Sequence, residues 1–200
     1  PICVAIPAGR QPAFVADFAT TTAANGKLEI LQRKHAETPL GWVQDAAGNP
    51  STDANILKKG GALLPLGGDR EHGSHKGYAL GSIVDILSAV LSGASYGPWA
   101  PPFPAYVPMP QDMPGQGLGH FLGAMRIDGF RPAAEFKAHM DRWIERFKTS
   151  TPAHPSQPVL VPGDPERDME AQRRGGGIPL GEAVVDGLQN LATELGLPGL

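Results

Sequence analysis

The stretch Gly67-Gly68-Asp69-Arg70-Glu71-His72-Gly73-Ser74-His75-Lys76-Gly77-Tyr78 runs into Leu80, Ile83, Val84, Leu87, Val90 and Leu91, and its reading decides the fold. The apolar residues recur at the three- and four-residue spacing of a helix. Ser74 serves as the N-cap and Gly93 as the stop, so the spacing predicts a helix between them. Gly77, Gly81, Ser82, Ser88, Ala89 and Ser92 keep its other side small. A helix of that kind is expected to be buried and closely approached by other backbone. The glycine-rich loop ahead of it leaves free N–H groups at the positive end of the helix dipole, a setting that favours an anion. Lys76 adds a cation to that first turn, which alone is unfavourable by about 0.3–1 kcal/mol. Either a phosphate or carboxylate compensates it, or Lys76 is an exposed residue of a flexible loop; the residues alone weigh these evenly.

Outward from this helix, the chain alternates irregularly between short strands and helices. Ile2–Ile6 and Phe14–Ala19 read as neighbouring strands split by the turn Pro7 to Pro12. Lys27–Leu31, after Asn25-Gly26, reads as a third strand. Gly41–Gly61 is polar and rich in turn residues and reads as a surface excursion. Ser95–Gly117 is a proline-rich loop, expected to be functional or mobile. Gly119–Ile127 reads as an apolar strand. Pro132 then opens an amphipathic helix with Phe136, Met140, Trp143, Ile144 and Phe147 on one face. Val159–Val161 reads as a strand and Asp164 as the N-cap of a charged helix that Gly175-Gly176-Gly177 breaks. A last helix carries Val184, Val185, Leu188, Leu191 and Leu195. The fold class is therefore mixed α/β, of the α+β kind, a sheet layer covered by helices.

Composition narrows the function. The chain has 200 residues, 41% hydrophobic and 18% charged, a globular balance. A net charge of −3 gives no footprint for nucleic acid and no polybasic stretch for a membrane surface. Cys3 is the one cysteine, so no internal disulfide forms and the chain reads as cytoplasmic. No apolar run is long enough to span a bilayer. Opening on Pro1-Ile2-Cys3-Val4 without a methionine, the chain reads as a piece entered in mid-strand. There is no G-x-G-x-x-G after a strand, no P-loop and no G-x-S-x-G.

Other polar groups carry two readings each. His72 and His75 form an H-x-x-H pair but lack a cysteine or an H-E-x-x-H pattern, so a structural pair is favoured and no metal is expected. Asp85 is either paired in the core or aimed at a site. Asp17, at the end of an apolar strand with Thr20-Thr21-Thr22 after it, suits a ligand position or a turn equally.

Four ordered segments together resemble one family, the type-2 malate/L-lactate dehydrogenases, which include ureidoglycolate and sulfolactate dehydrogenases, diketogulonate reductase and cyclic imine-carboxylate reductases. They are Ala16-Asp17-Phe18-Ala19-Thr20-Thr21; Thr38-Pro39-Leu40-Gly41-Trp42 with Asp45, Gly48, Pro50, Thr52 and Asp53; Leu64-Pro65-Leu66-Gly67-Gly68 with His75-Lys76-Gly77-Tyr78-Ala79-Leu80 and Asp85-Ile86-Leu87-Ser88; and Val161-Pro162-Gly163-Asp164 with Gly177-Ile178-Pro179-Leu180. The resemblance implies a large, mostly antiparallel, non-Rossmann sheet and NAD or NADP as cofactor. It implies a small 2-oxo or 2-hydroxy acid as substrate and a homodimer. Carried over, Asp17, Phe18, Ala19, Thr20, Thr21, Thr22, His75, Lys76, Pro162, Gly163 and Asp164 would contact the nicotinamide nucleotide. Residues 1–130 would form the cofactor-binding core, and 131–200 a helical segment. Family members also carry an N-terminal region with an acid/base histidine and a carboxylate-binding arginine. None of the six histidines here sits in that motif, so the catalytic residues are left unassigned. Ala79 stands for the usual glycine and Phe18 for the usual methionine.

Overall fold

The computed structural model describes residues 1–101 and 112–199. They fall into two compact units. The first comprises Pro1–Ala5 and Val15–Lys137; the second comprises Ile6–Phe14 and the chain from Ala138 onward.

Two strands open the chain, β1 (Ile2–Ile6) and β2 (Phe14–Phe18), and they are neighbours in a two-stranded sheet as their β-rich composition predicts. The next element corrects the sequence reading. Residues 27–31 are not a strand but lie in helix α1 (Asn25–Arg33). Asn25-Gly26 resembles a hairpin turn, yet Lys, Leu, Glu, Gln and Arg all favour a helix, and tertiary context decides between them. Leu28 is fully buried, and Gln32 donates to the carbonyl of Ala54 at 2.7 Å, which anchors the helix.

Gly41–Gly61 is a second correction. It is no surface excursion but carries part of the core. Strands β3 (Val43–Gln44), β4 (Pro50–Ser51) and β5 (Ala62–Leu63) form a three-stranded antiparallel sheet in the order β4-β3-β5. Val43, which pairs with Ser51 on one side and Leu63 on the other, is fully buried. It packs with Ala23, Leu28 and Ile56, and Trp42, Leu57 and Leu63 close around them. The turns dominate the composition, while three or four apolar residues do the burying. Lys27 Nζ lies 5.6 Å from the centre of the Trp42 ring and covers this core. Lys27→Met keeps the stem and removes the charge; we expect a loss of about 0.5–1 kcal/mol, read by urea denaturation.

Helix α2 (Ser74–Asp85) continues as one π-helical turn over Ile86–Val90, and Gly93, with φ +78°, follows it as expected. Its N-cap is Gly73 and not Ser74. The packing of α2 bears out the expected close approach of other backbone but not the burial. Its small side is the one engaged within the unit: an added Cβ on Gly77 would fall 2.2 Å from the Leu66 carbonyl oxygen, and one on Gly81 would fall 3.2 Å from Thr20 Oγ1. Tyr78, Ile83, Ile86, Val90 and Leu91 are exposed. Asp85 is half-buried and accepts the Gly97 N–H at 2.9 Å, so it is tied to the following loop and not paired in the core.

Gly119–Ile127, which the sequence reads as a strand, forms no ladder with any described residue, and Ile127 opens a short 3-10 turn. The one large sheet implied by the resemblance is likewise absent among the described residues, which show two small sheets instead. Of the proline-rich loop, residues 102–111, with Pro102, Pro104, Pro108 and Pro110, lie outside the description.

Helix α3 (Ala133–Lys148) follows Pro132 as predicted. In the second unit, Ile144 is fully buried and Trp143 meets Phe14 edge-on at 5.7 Å. The Asp141 carboxylate accepts the backbone N–H groups of Gly9, Arg10 and Gln11 at 2.9–3.0 Å. Those amide bonds hold its carboxyl below the usual carboxylate range. Val159–Val161 is not a strand, a further correction; Val161 is buried as the lead-in to helix α4 (Asp164–Gly176). Helix α5 (Glu182–Glu194) is the last helix among the described residues. No helix among the described residues is long and apolar enough to cross a membrane.

Candidate functional site

The Thr20–Thr22 segment leaves β2 and is clamped against the loop that follows β5. Thr22 N–H donates to Leu64 O at 2.8 Å, and Leu66 N–H donates to Thr20 O at 2.9 Å. Thr21 and Pro65 form the antiparallel bridge between them. The hydroxyls take part as well: Thr22 Oγ1 donates to Pro65 O at 2.7 Å and Thr21 Oγ1 to Ala23 O at 2.8 Å. Both hydroxyl protons are therefore committed to the protein, and the oxygens remain as acceptors. Asp17, Phe18 and Ala19 are exposed at the strand end.

Leu66 is the link to α2. Its backbone lies against Gly77, where no side chain fits. The structure thus brings Thr20–Thr22, the Leu64–Gly68 loop and the first turns of α2 into one body. The loop from Gly67 to Gly73 closes on itself with Gly67, Gly68 and Gly73 at positive φ, and a Cβ on Gly67 would lie 2.7 Å from the Gly73 carbonyl carbon. A residue with a side chain could neither adopt that backbone cheaply nor fit.

No side chain caps α2. Ser74 N–H reaches Asp69 O at 3.0 Å and Lys76 N–H reaches Gly73 O at 2.9 Å. His75 and Lys76 are exposed in the first turn. A Cβ on Gly73 would sit 3.7–4.0 Å from Lys76 Cδ, Cε and Nζ, so the lysine stem curls back over the helix start. Among the described residues no carboxylate pairs with its ammonium. A cation held at the positive end of a helix without an acidic partner fits an anionic ligand.

A pocket of about 430 Å³ opens beside this loop, lined by Thr22, Leu40, Gly41, Gly68, Asp69 and His72 among others. His72 Nδ1 lies 2.6 Å from Asp69 Oδ1, and the His72 backbone N–H donates to the same oxygen at 2.9 Å. These two bonds hold the Asp69 carboxyl below its ordinary range. The pairing leaves His72 turned to Asp69 and not to His75, and among the described residues no three His, Cys, Asp or Glu side chains could share a metal ion. Sequence reasoning singled out His72 but missed Asp69; the three-residue spacing was the available signal.

Pro162-Gly163-Asp164 belongs to the second unit. The N-cap of α4 is Gly163, at φ +96°, and Asp164 is the first helical residue, which corrects the cap assignment. The Asp164 carboxylate reaches back to the Val161 N–H at 3.1 Å and forms ion pairs with Arg167 at 2.8 Å and Lys148 at 3.0 Å. Burial pushes its pKa up, but the Arg167 and Lys148 hydrogen bonds outweigh burial, and the net pull is down to about 2. With this carboxylate engaged, the exposed Pro162 and the turn backbone are what the segment can offer a ligand. Arg167, three residues on, was readable as a partner; Lys148, on another helix, was not.

Comparison with known proteins places the chain in a family. The family model described as malate/L-lactate dehydrogenase matches residues 1–189. A malate dehydrogenase of Pyrococcus horikoshii is 36% identical over 201 residues, covering 100% of this chain and 53% of that protein. An L-sulfolactate dehydrogenase of Methanothermobacter thermautotrophicus is 34% identical over 195 residues, covering 98% and 51%. The crystal structure of a malate dehydrogenase from Entamoeba histolytica superposes with a TM-score of 0.78 at 25% identity, over 98% of this chain and 54% of that one. The chain spans about half the length of these relatives. The fold defines a class, the scaffold shared with these relatives. Within that class, the chain belongs to the malate/L-lactate dehydrogenase family.

Proposed function

We propose that this chain is the cofactor-holding part of an NAD- or NADP-dependent oxidoreductase acting on a small 2-oxo or 2-hydroxy acid. The observation that carries the reading is the start of α2, where among the described residues no side chain caps the helix and no carboxylate pairs with the Lys76 folded over it. A dinucleotide brings the pyrophosphate that such a site fits. When bound, the nicotinamide supplies or accepts the hydride. The chain's own residues do the holding. Lys76 and the positive end of the α2 dipole neutralise phosphate charge, and His75 flanks them. Thr20, Thr21 and Thr22, fixed to Leu64–Leu66, present hydroxyl oxygens as acceptors, and Asp17, Phe18 and Ala19 form the exposed rim. Pro162, Gly163 and Asp164 contribute through their turn.

In this reading residues 1–130 form the cofactor core of a non-Rossmann site and 131–200 a helical segment. The working form is a homodimer in the cytoplasm. The general acid that protonates the forming alkoxide comes from outside these residues. Arg33 and Lys34, both exposed at the end of α1, are available to a 2′-phosphate. One second reading is a non-catalytic nucleotide-binding or dimerisation remnant, motivated by the absence of the family's acid/base histidine motif from these residues. A cyclic imine-carboxylate as substrate is the variant within the first reading.

The test is a fluorescence titration with NADH and with NADPH. Lys76→Ala should weaken binding of the preferred nucleotide by about 10- to 100-fold, the worth of one charge-assisted contact. Binding of neither nucleotide, or binding indifferent to Lys76→Ala, sinks the cofactor assignment. Binding without turnover of any 2-oxo or imine acid by the complete protein selects the remnant.

A further inference from the structure

The pocket beside the loop from Gly67 to Gly73 has a chemistry of its own. Leu40, Pro50 and Leu64 make its apolar wall, and three polar side chains, Thr22, Asp69 and His72, also line it. All three are acceptors there. Thr22 gives its hydroxyl proton to Pro65 O, so its oxygen can only accept. The hydrogen bonds that Asp69 takes from the His72 N–H and from Nδ1 both fall on Oδ1. Oδ2 has no donor among the described residues. The same two bonds hold the carboxyl below its ordinary range, so the negative charge persists at neutral pH. Because the carboxylate accepts, Nδ1 carries the proton, and Nε2 of the neutral ring is a further acceptor. Among the described residues no lysine or arginine lines the pocket: Arg70 and Lys76, on the same stretch, lie exposed outside its wall, and so do Arg33 and Lys34.

A wall of acceptors carrying a fixed negative charge takes hydroxyl donors and rejects phosphate. A ribose brings two such donors on neighbouring carbons. A carboxylate on the ribose 2′-OH is a general way for a dinucleotide site to choose NAD. We propose that Asp69 selects NAD over NADP: the pocket takes the adenosine ribose, Oδ2 accepts its 2′-OH, and the carboxylate repels the 2′-phosphate that distinguishes NADP. The proposal rests on the cofactor reading of the α2 start and adds which nucleotide that site holds. The loop joins the two features. Gly67 and Gly68 line the pocket at one end, and Gly73 lies under the Lys76 stem at the other. Sugar and phosphate are neighbours in a dinucleotide, as pocket and lysine are on this loop. Leu40 and Pro50, both exposed, offer an apolar face to the base. His72 is a positioning residue, since its two bonds fix the Asp69 carboxylate. Arg33 and Lys34 are then left with no 2′-phosphate to meet.

The experiment titrates the full-length protein and its Asp69→Asn variant with NADH and with NADPH by fluorescence. Asparagine keeps an oxygen for the His72 N–H and removes the charge. The parent is expected to bind NADH at least about tenfold more tightly than NADPH, the worth of one hydrogen bond to a charged group. Asp69→Asn should lose most of that preference, through weaker NADH and tighter NADPH. Displacement of NADH by 5′-AMP, which has the adenosine ribose and no nicotinamide, should weaken in the variant as well. Glu71→Gln, a charge change on an exposed residue of the same loop that lines no wall of the pocket, should keep the parent's preference. A parent without a preference for NADH overturns the proposal, as does a preference or an AMP affinity that Asp69→Asn leaves unmoved. A preference that Glu71→Gln shifts equally overturns it too, because loop charge and not the Asp69 contact is then at work. In each of these cases the cofactor reading stands if Lys76→Ala still weakens binding, whereas binding of neither nucleotide sinks both.

Discussion

Gly77→Ala is expected to destabilise the first unit by about 3 kcal/mol and to weaken nucleotide binding with it. The argument is one of magnitudes. Alanine is the better helix former by about 1 kcal/mol, so in an open helix the substitution would stabilise. Here the added carbon would sit 2.2 Å from Leu66 O, 2.6 Å from Leu66 N and 2.8 Å from Leu66 C. All three atoms are backbone, and Leu66 N–H is the donor to Thr20 O. Relief requires α2 to lift or the 64–68 loop to shift, and either loosens the Thr20–Thr22 clamp. Gly81→Ala is the control. Its new carbon would meet the Thr20 hydroxyl at 3.2 Å, a side-chain atom that can turn aside. Urea midpoints of the two variants should separate clearly, with Gly81→Ala close to the parent. Equal midpoints would mean that α2 does not lie against Leu66 as described.

Asp164→Ala should cost about 2–3 kcal/mol of stability in the second unit. It removes the acceptor of the Val161 N–H and strands Arg167 and Lys148. The loss falls short of that for a fully buried pair because Arg167 and Lys148 are 34% and 40% exposed and recover water. The pH dependence follows from the depressed pKa. The carboxyl stands at about 2 when folded against an ordinary 3.8, so its stabilisation is complete above 3.8 and fades as pH falls through 2. The stability gap between parent and variant should therefore narrow in acid. A gap that stays constant from neutral pH down to 2 would show that the charge is not what stabilises the turn.

Local pattern accounts for what could be read beforehand. The α2 and α3 helices announce themselves by apolar spacing, and β1 and β2 by β-branched composition and an intervening turn. The 27–31 segment misled because Leu28, Ile30 and Leu31 fit either period over five residues; its helix is decided by the core that Leu28 enters. Gly41–Gly61 misled because turn residues outnumber the buried Val43, Ala54 and Ile56. In α2 the periodicity marked two sides correctly, but it carries no information on which side meets the rest of this unit and which stays exposed. At the site, the glycine loop and Lys76 were legible from helix electrostatics alone. The Asp164–Lys148 pair was not, since sixteen residues and a change of helix separate the partners.

The two compact units are braided along the sequence: residues 6–14 belong with the stretch that begins at Ala138, although 132 positions separate Gly9 from Asp141. Neither unit can then be excised with a single cut. A piece starting at Ala138 would carry the Asp141 carboxylate without the three amides that satisfy it. A piece ending at Lys137 would leave the Gly9–Gln11 turn with no acceptor. Gene rearrangements that swap or truncate at one point would break both units at once. Those that preserve both hairpin and tail are the ones this architecture tolerates.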